Sequence, residues 1–153
     1  MIISGLQNKN NLEVLKSNSD IKVLKIENLN LDEDWSLISE AKNLENLTIR
    51  DSHIDYKNFY LAICSLKNLK ELTYNHYCFF NKNKKDKFSK NLCLPSLKIF
   101  RIEFPEILEP DFEINSYWHK SYRQKYNSIT ELQNSYKIFN NLQKIEFINY
   151  QTI

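Results

Sequence analysis

IKVLKI at Ile21–Ile26 and LENLTI at Leu44–Ile49 are two copies of one six-residue phrase with apolar residues at positions 1, 4 and 6. Three more copies follow along the chain: LKELTY at Leu69–Tyr74, LKIFRI at Leu97–Ile102 and LQKIEF at Leu142–Phe147. Positions 3 and 5, and position 7 directly after the phrase, are mostly polar. Because successive side chains of a strand point to opposite faces, each copy is predicted to be a short strand with one buried face.

The segments between the copies are predicted to be helices. DEDWSLISEAKNL offers Asp32 or Asp34 as an N-cap, DYKNFYLAICSL starts at Asp55, and Ser128–Glu131 matches a capping box. Each segment carries an apolar stripe, formed by Trp35, Ile38 and Ala41, by Phe59, Ile63 and Leu66, and by Ile129, Leu132, Tyr136 and Phe139. Strands that alternate with helices predict a parallel sheet with helices packed against it.

The copies begin 23, 25, 28 and 45 residues apart, and the first two intervals fit the 20–29-residue period of leucine-rich repeats. The apolar residue that the family places at position 11 is met by Leu31, Ile54, Phe79 and Ile107. Position 9, where the family prefers Asn or Cys, holds Leu29, Ser52, Tyr77, Pro105 and Tyr150. The chain thus resembles a divergent short leucine-rich repeat protein over residues 20–153. The resemblance implies an α/β curved solenoid with parallel strands on the concave side and helices on the convex side; the alternative is a generic α/β domain with coincidental spacing.

The whole chain, residues 1–153, is expected to form a single domain. Residues 1–20, with MIISGL and NNLEVLKS, are predicted to supply a capping strand and helix. Residues 105–128 are either an insertion or a degenerate repeat, and an additional repeat within residues 105–141 stays open. Residues 142–153 form the last strand and the C-terminal edge, where an unpaired strand could pair with another copy of the chain. A homodimer through this edge is one hypothesis.

Composition excludes several classes of protein. Hydrophobic content of 42% and charged content of 26% are ordinary for a globular domain. A single glycine leaves no Gly-rich phosphate loop, so we expect no nucleotide cofactor. No apolar stretch is long enough to cross a bilayer, and the N-terminus lacks the features of a secretory signal. We therefore expect a cytoplasmic protein without a membrane contact.

Cysteines and histidines give no site for a metal or for catalysis. Cys64, Cys78 and Cys93 lack CxxC spacing, and Cys64 and Cys93 have apolar neighbours typical of buried thiols. His53 and His119 have no partners at metal-ligand spacing. His76 and Cys78 could meet near a strand end, but nothing suggests a third group to orient them. The chain is predicted not to be an enzyme and to bind no metal or cofactor.

The exposed face of the sheet is the predicted binding surface. If the copies align, position 3 gives the column Val23, Asn46, Glu71, Ile99 and Lys144, position 5 gives Lys25, Thr48, Thr73, Arg101 and Glu146, and position 7 gives Glu27, Arg50, Asn75, Glu103 and Ile148. Charges of both signs alternate there, whereas a nucleic-acid groove would be mainly Lys and Arg. Such a mixed surface suits a protein partner. The residues predicted to bind it are Lys25, Glu27, Asn46, Thr48, Arg50, Glu71, Thr73, Asn75, Ile99, Arg101, Glu103, Lys144 and Glu146. The alternative is that cross-strand charge pairs merely keep the sheet soluble.

The long interval before the last copy holds a second candidate. Its first half is acidic, from Glu103 to Glu113, and its second half, NSYWHKSYRQKYNS, is aromatic and basic. Trp118, Tyr122 and Arg123 could project as a binding loop, since Trp, Tyr and Arg dominate interface hot spots. The alternative is that the aromatic stripe packs into the core.

These patterns favour a non-catalytic protein-interaction module that binds a protein on its concave sheet face. One version is a bacterial immunity or inhibitor protein, in which the acidic stretch Glu103–Glu113 mimics phosphate towards a nuclease. An adaptor or structural subunit of a larger assembly is a second hypothesis. Nucleic-acid binding through Lys82–Lys87 and Trp118–Tyr126 is a less favoured third, since the net charge is only +2.

Overall fold

The computed structural model describes residues 1–5, 10–30, 33–52, 54, 56–75, 94–105 and 141–150. Within them, the strands are β1 (Ile2–Ser4), β2 (Val23–Glu27), β3 (Asn46–Arg50), β4 (Glu71–Asn75), β5 (Ile99–Pro105) and β6 (Lys144–Tyr150). In this described part of the chain they form one six-stranded sheet in the order β1-β2-β3-β4-β5-β6. Every neighbouring pair is parallel. The prediction of a parallel sheet built from the repeated phrase is confirmed.

The five copies of the phrase also align in register. Their position-3 residues pair across the sheet in the order Val23, Asn46, Glu71, Ile99 and Lys144. At the first junction, the Lys22 carbonyl accepts from the backbone N–H groups of residues 45 and 46 at 2.8 and 3.0 Å, and the same two-donor arrangement recurs at the carbonyls of Glu45, Lys70 and Lys98. The predicted columns are therefore real, even across the 45-residue interval that precedes the last copy.

Two of the connecting segments are 3-10 helices and not α-helices. The first spans Asn11–Ser17 and the second spans Trp35–Glu40. Side chains three residues apart eclipse in a 3-10 helix, and this places Trp35 and Ile38 together in the core, where both are fully buried. Asp34 is the N-cap and accepts a hydrogen bond from the Ser36 N–H at 3.1 Å. The expected helix thus starts at one of the two predicted N-caps and ends at Glu40, with Ala41 as its C-cap.

The third connecting segment is an α-helix, α1, at Tyr56–Cys64. Its Phe59 and Ile63 are buried as predicted, and Leu66 is buried just beyond its end. Phe59 meets Trp35 of the second 3-10 helix edge-to-face, with ring centroids 5.9 Å apart and planes at 88°, a favoured aromatic arrangement. The three helices pack side by side, and the strand side chains beneath them complete one core.

One face of the sheet is therefore covered and the other is not covered by any described helix. Position-4 and position-6 side chains of β2–β4 are buried in the core, together with Phe100 of β5: they are Leu24, Ile26, Leu47, Ile49, Leu72 and Tyr74. On β1, Ile3 is buried and pairs with Ile26, so Ile2 and Ser4 lie on the opposite face. We call that opposite face, formed by Ile2, Ser4 and positions 3, 5 and 7 of β2–β6, the open face.

The turns after β2 and β3 use residues that tolerate a left-handed backbone. Asn28 and Asp51 both follow a strand at position 8 and have φ of 56° and 49°; Asn and Asp adopt this region more readily than other non-glycine residues. At position 9, the buried Ser52 hydroxyl accepts from the Leu29 N–H at 3.0 Å and donates to the Arg50 carbonyl at 2.8 Å. Ser52 thus satisfies turn backbone groups in the way expected of Asn or Cys at this position.

A second series of side-chain hydrogen bonds crosses the opposite end of the strands. The residue directly before each of the last four copies donates to the preceding repeat: Asn43 to the Asp20 carboxylate at 3.1 Å, Asn68 to the Lys42 carbonyl at 3.3 Å, Ser96 to the Lys67 carbonyl and Asn141 to the Pro95 carbonyl at 2.7 Å. These bonds hold the start of each strand against the preceding repeat. The strand ends are thus held by hydrogen bonds that do not involve the side chains of the open face.

Candidate functional site

The open face displays its side chains in three rows that run across the strands. Position 3 contributes Val23, Asn46, Glu71, Ile99 and Lys144, position 5 contributes Ile2, Lys25, Thr48, Thr73, Arg101 and Glu146, and position 7 contributes Ser4, Glu27, Arg50, Asn75, Glu103 and Ile148. Eight of these residues are charged, four of each sign. Their positions were predicted, and the alternative interpretation also predicted charge pairs between strands; which charge bonds to which was not predicted.

The first ion-pair network runs along the position-7 row. Lys25 Nζ lies 2.7 Å from Glu27 Oε1, and Arg50 Nη1 lies 3.8 Å from the same oxygen. Arg50 also donates to both carboxylate oxygens of Glu103, from Nε at 2.5 Å and from Nη2 at 2.6 Å. This two-point contact reaches from β3 to β5 over the intervening strand β4. Such parallel guanidinium–carboxylate bonds are among the strongest polar contacts in proteins.

The second network joins the last three strands. Arg101 of β5 donates through Nη1 to Glu71 of β4 and through Nε to Glu146 of β6. Lys144 Nζ lies 2.5 Å from Glu146 Oε1. The hydrogen bond to Glu71, followed by that to Glu146, raises the pKa of Arg101 above its ordinary value. The hydrogen bonds from Lys144 and then from Arg101 hold the pKa of Glu146 below its ordinary value.

Both networks are electrically balanced. Each joins two acidic and two basic side chains: Lys25, Glu27, Arg50 and Glu103 in the first, and Glu71, Arg101, Glu146 and Lys144 in the second. The pairing predicted by the alternative interpretation of this surface is therefore present. A charged partner would have to compete with these existing contacts, and the face as a whole offers it no net charge.

Two predicted binding residues are too buried to contact a partner directly. Glu103 is 4% exposed and lies beneath the guanidinium that it binds, and Thr73, between Thr48 and Arg101 in its row, is also buried. Sequence alternation identifies the face on which a side chain lies. It does not show whether the long side chains of neighbouring residues cover it. Glu103 is accordingly a positioning residue for Arg50.

The remaining predicted residues of the face are partly or well exposed where their side chains are described. Asn46, Thr48 and Ile99 are half-buried, and Lys144 is exposed. Asn46 and Thr48 make no side-chain hydrogen bond to any described residue, in contrast to the eight charged side chains. Asn75 lies on β4 in the predicted register, opposite Glu103.

Other sequence predictions fall outside the described residues. These are Trp118, Tyr122 and Arg123, the basic run Lys82–Lys87, the predicted helix that follows Ser128, Asp32, Asp55, Cys78, Cys93 and all three histidines. Cys64 is half-buried and packs against the core. In the described ranges, no cluster of His, Cys, Asp or Glu could hold a metal ion, and no helix is long and apolar enough to span a membrane.

Two features were missed by the sequence reasoning. Ile2 extends the position-5 row onto β1, where it is 68% exposed; the alternation of MIIS was too short to assign a face. Glu33 is buried and accepts from the backbone N–H groups of Asn11 and Leu12 at 3.1 and 3.3 Å. It thereby caps the first 3-10 helix from a distant part of the sequence. Capping motifs are local, so none of them predicts this cap.

Comparison with known proteins adds no family to this description. No family model matches the chain, and neither a curated protein nor a solved structure is significantly similar to it.

Proposed function

We propose that this chain is a non-catalytic protein-interaction module, a short solenoid of the leucine-rich repeat type, and that its partner binds on the open face. The repeated register of the strands and the matching turns at Asn28 and Asp51 support the repeat architecture. In such a solenoid each repeat buries its apolar face only against its neighbours, so the strand face opposite the helices is left for binding.

The open face itself carries the proposal. It presents side chains of six strands with no described helix over them, and its charges are balanced in two networks. A surface of mixed, balanced charge is poorly suited to nucleic acid, whose phosphates need an excess of Lys and Arg. An array of polar and apolar groups matches the composition of non-obligate protein interfaces.

The inhibitor version of this function is a narrower proposal. Its acidic stretch starts at Glu103, but that carboxylate is buried and bound by Arg50 at two points. Glu103 is therefore unsuited to mimic a phosphate, and the idea rests on the acidic residues that follow it in sequence. Rescue of cells from a co-expressed toxin would test this version.

The first test is capture of a partner from a lysate of the source cells, with and without nuclease treatment. Single charge reversals would break the networks, so the face is better blocked at uncharged positions, by Thr48→Arg together with Ile148→Arg. The matched control is Val14→Arg together with Leu61→Arg, which adds the same two charges at 40% and 51% exposed positions on the first 3-10 helix and α1. We expect a nuclease-resistant partner that the doubly substituted face loses and the control keeps. Recovery that depends on nucleic acid, or that ignores the blocked face, would contradict the proposal.

A further inference from the structure

The starts of the strands form an edge of the sheet that carries an excess of positive charge. This edge consists of the two residues before each copy of the phrase and the residue at position 2 of the copy. We call its described part the basic edge, because its charged members are five lysines and two acidic residues: Lys22, Lys42, Lys67, Lys70, Lys98, Asp20 and Glu45. All five lysines are exposed. The open face, in contrast, has as many acidic as basic side chains.

The register of the repeats places these lysines side by side. Lys42 and Lys67 each lie two residues before a copy, and the Asn68 amide bonds to the Lys42 carbonyl at 3.3 Å, so their turns are adjacent. Lys70 and Lys98 both lie at position 2, and the Lys98 N–H donates to the Lys70 carbonyl at 2.8 Å. Neighbouring strands are about 4.8 Å apart. The backbone therefore holds lysines next to lysines in two rows.

Acidic side chains compensate only part of this charge. Glu45 is shared between Lys70 at 2.6 Å and Lys22 at 3.7 Å, and Asp20 accepts from an asparagine amide of the next turn. The remaining lysines of the edge form no ion pair with any residue that the structure describes: Lys42, Lys67 and Lys98. Like charges side by side on neighbouring strands destabilise a sheet. An anionic ligand at this edge would relieve that repulsion.

We infer that the basic edge is a second contact surface, separate from the open face, and that it takes an acidic segment of a protein. Carboxylates of the segment pair with Lys42, Lys67 and Lys98, where charge complementarity is greatest. The described residues of the edge include neither an arginine nor an aromatic ring on which bases stack, and this favours a peptide over a nucleic acid. The inference does not depend on the proposed function, since it uses no residue of the open face.

A labelled polyglutamate peptide, followed by fluorescence anisotropy on the intact chain, is a direct probe. We expect it to bind at low salt and to weaken as salt rises, because exposed ion pairs are screened. Amide NMR shifts should move at the three uncompensated lysines. The triple variant Lys42→Gln, Lys67→Gln and Lys98→Gln should bind the peptide about tenfold more weakly. Its urea midpoint should not fall, because the substitutions remove a repulsion.

A matched variant separates the site from the net charge of the protein. It carries the same three substitutions and regains three positive charges at exposed positions of the first 3-10 helix and α1, through Val14→Lys, Ser17→Lys and Leu61→Lys. We expect it to bind polyglutamate as weakly as the triple variant does. Recovery of the affinity of the unaltered chain would overturn the inference, because total charge alone would then explain the binding.

The remaining outcomes leave the proposed function with its own test. Tighter binding of an oligothymidylate of equal charge would make nucleic acid the ligand of this edge and overturn the acidic segment. Failure to bind polyglutamate at low salt, or a footprint on the open face, would overturn the basic edge itself. Capture of a partner that is lost on blocking Thr48 and Ile148 would still support the open face after either result.

Discussion

The contact between Arg50 and Glu103 should be asymmetric in its contribution to stability. Replacing Arg50 with Met leaves the Glu103 carboxylate, whose side chain is 5% exposed, without the two donors that bind it. Replacing Glu103 with Leu instead leaves a guanidinium that is 26% exposed and that still has Glu27 within 3.8 Å. The unpaired carboxylate cannot reach water as easily as the unpaired guanidinium. Arg50→Met should therefore lower the free energy of unfolding more than Glu103→Leu does.

The magnitude follows from burial. Removing one member of a buried ion pair costs about 3–5 kcal/mol, and the partial exposure of Arg50 places Arg50→Met near the lower limit, at about 3 kcal/mol. Glu103→Leu should cost about 1–2 kcal/mol, the usual loss for a hydrogen-bonded group whose partner keeps access to water. The double variant leaves no unpaired charge from this pair and should cost less than the sum of the two single changes.

Urea denaturation followed by tryptophan fluorescence, to which the buried Trp35 contributes, would measure the three free energies of unfolding. A double-mutant cycle on Lys16 and Glu13, an exposed ion pair on the first 3-10 helix, serves as the control and should show no measurable coupling. Equal costs for the two single changes, or strictly additive effects in the double variant, would refute the asymmetry and the assignment of Glu103 as a buried acceptor.

Three further predictions concern the turns and the ion pairs. Ser52→Ala should lower the free energy of unfolding by about 1–3 kcal/mol, because the buried Leu29 N–H loses its acceptor; an unchanged urea midpoint would contradict this. Asn28→Val should destabilise by about 1–2 kcal/mol since φ is 56° there, whereas Asn28→Gly should avoid that strain; melting temperatures of the two variants test the difference. The pKa of Glu146 is lowered in the folded state, chiefly by the hydrogen bond from Lys144 and then by that from Arg101. Its stabilising effect is therefore complete above the unfolded-state pKa and is lost as pH falls through the lower folded value. Glu146→Gln should flatten the melting temperature against pH in that acidic window, and an unaltered profile would count against the pairing.

The strands and their register could be predicted from sequence because one phrase supplies both signals. Alternating polarity identifies the buried face of each strand, and the Leu or Ile at position 1 marks the residue from which all copies can be aligned. As a result, Lys144 was placed opposite Ile99 although 45 residues separate them. Helix type was not predictable in the same way. The spacing of three in Trp35, Ile38 and Ala41 fits one face of either helix type, and only the packed structure selects the 3-10 form.

The composition of the open face was predictable, but the partner of each charge was not. Sequence columns place Arg50 and Glu103 two strands apart, where neighbouring-strand rules predict no contact. Their pairing depends on the reach of the guanidinium across β4, which is a property of side-chain conformation. For the same reason the burial of Thr73 could not be read from its place in an exposed column.

The repeat separates the positions that build the core and the turns from those on the open face, and under the proposed function this separation limits where specificity can lie. In β2–β4 positions 4 and 6 fill the core, and the residue before each of the last four copies bonds to the preceding repeat. Ser52 at position 9 accepts from the Leu29 N–H, and position 8 makes the turn after β2 and β3. Positions 3, 5 and 7 remain, and their charged members are bonded to one another. A balanced face exerts little long-range attraction on a charged partner. Selectivity among partners is therefore expected to come from short-range fit at the uncharged residues, and a binding rate that is nearly independent of salt would follow from that arrangement.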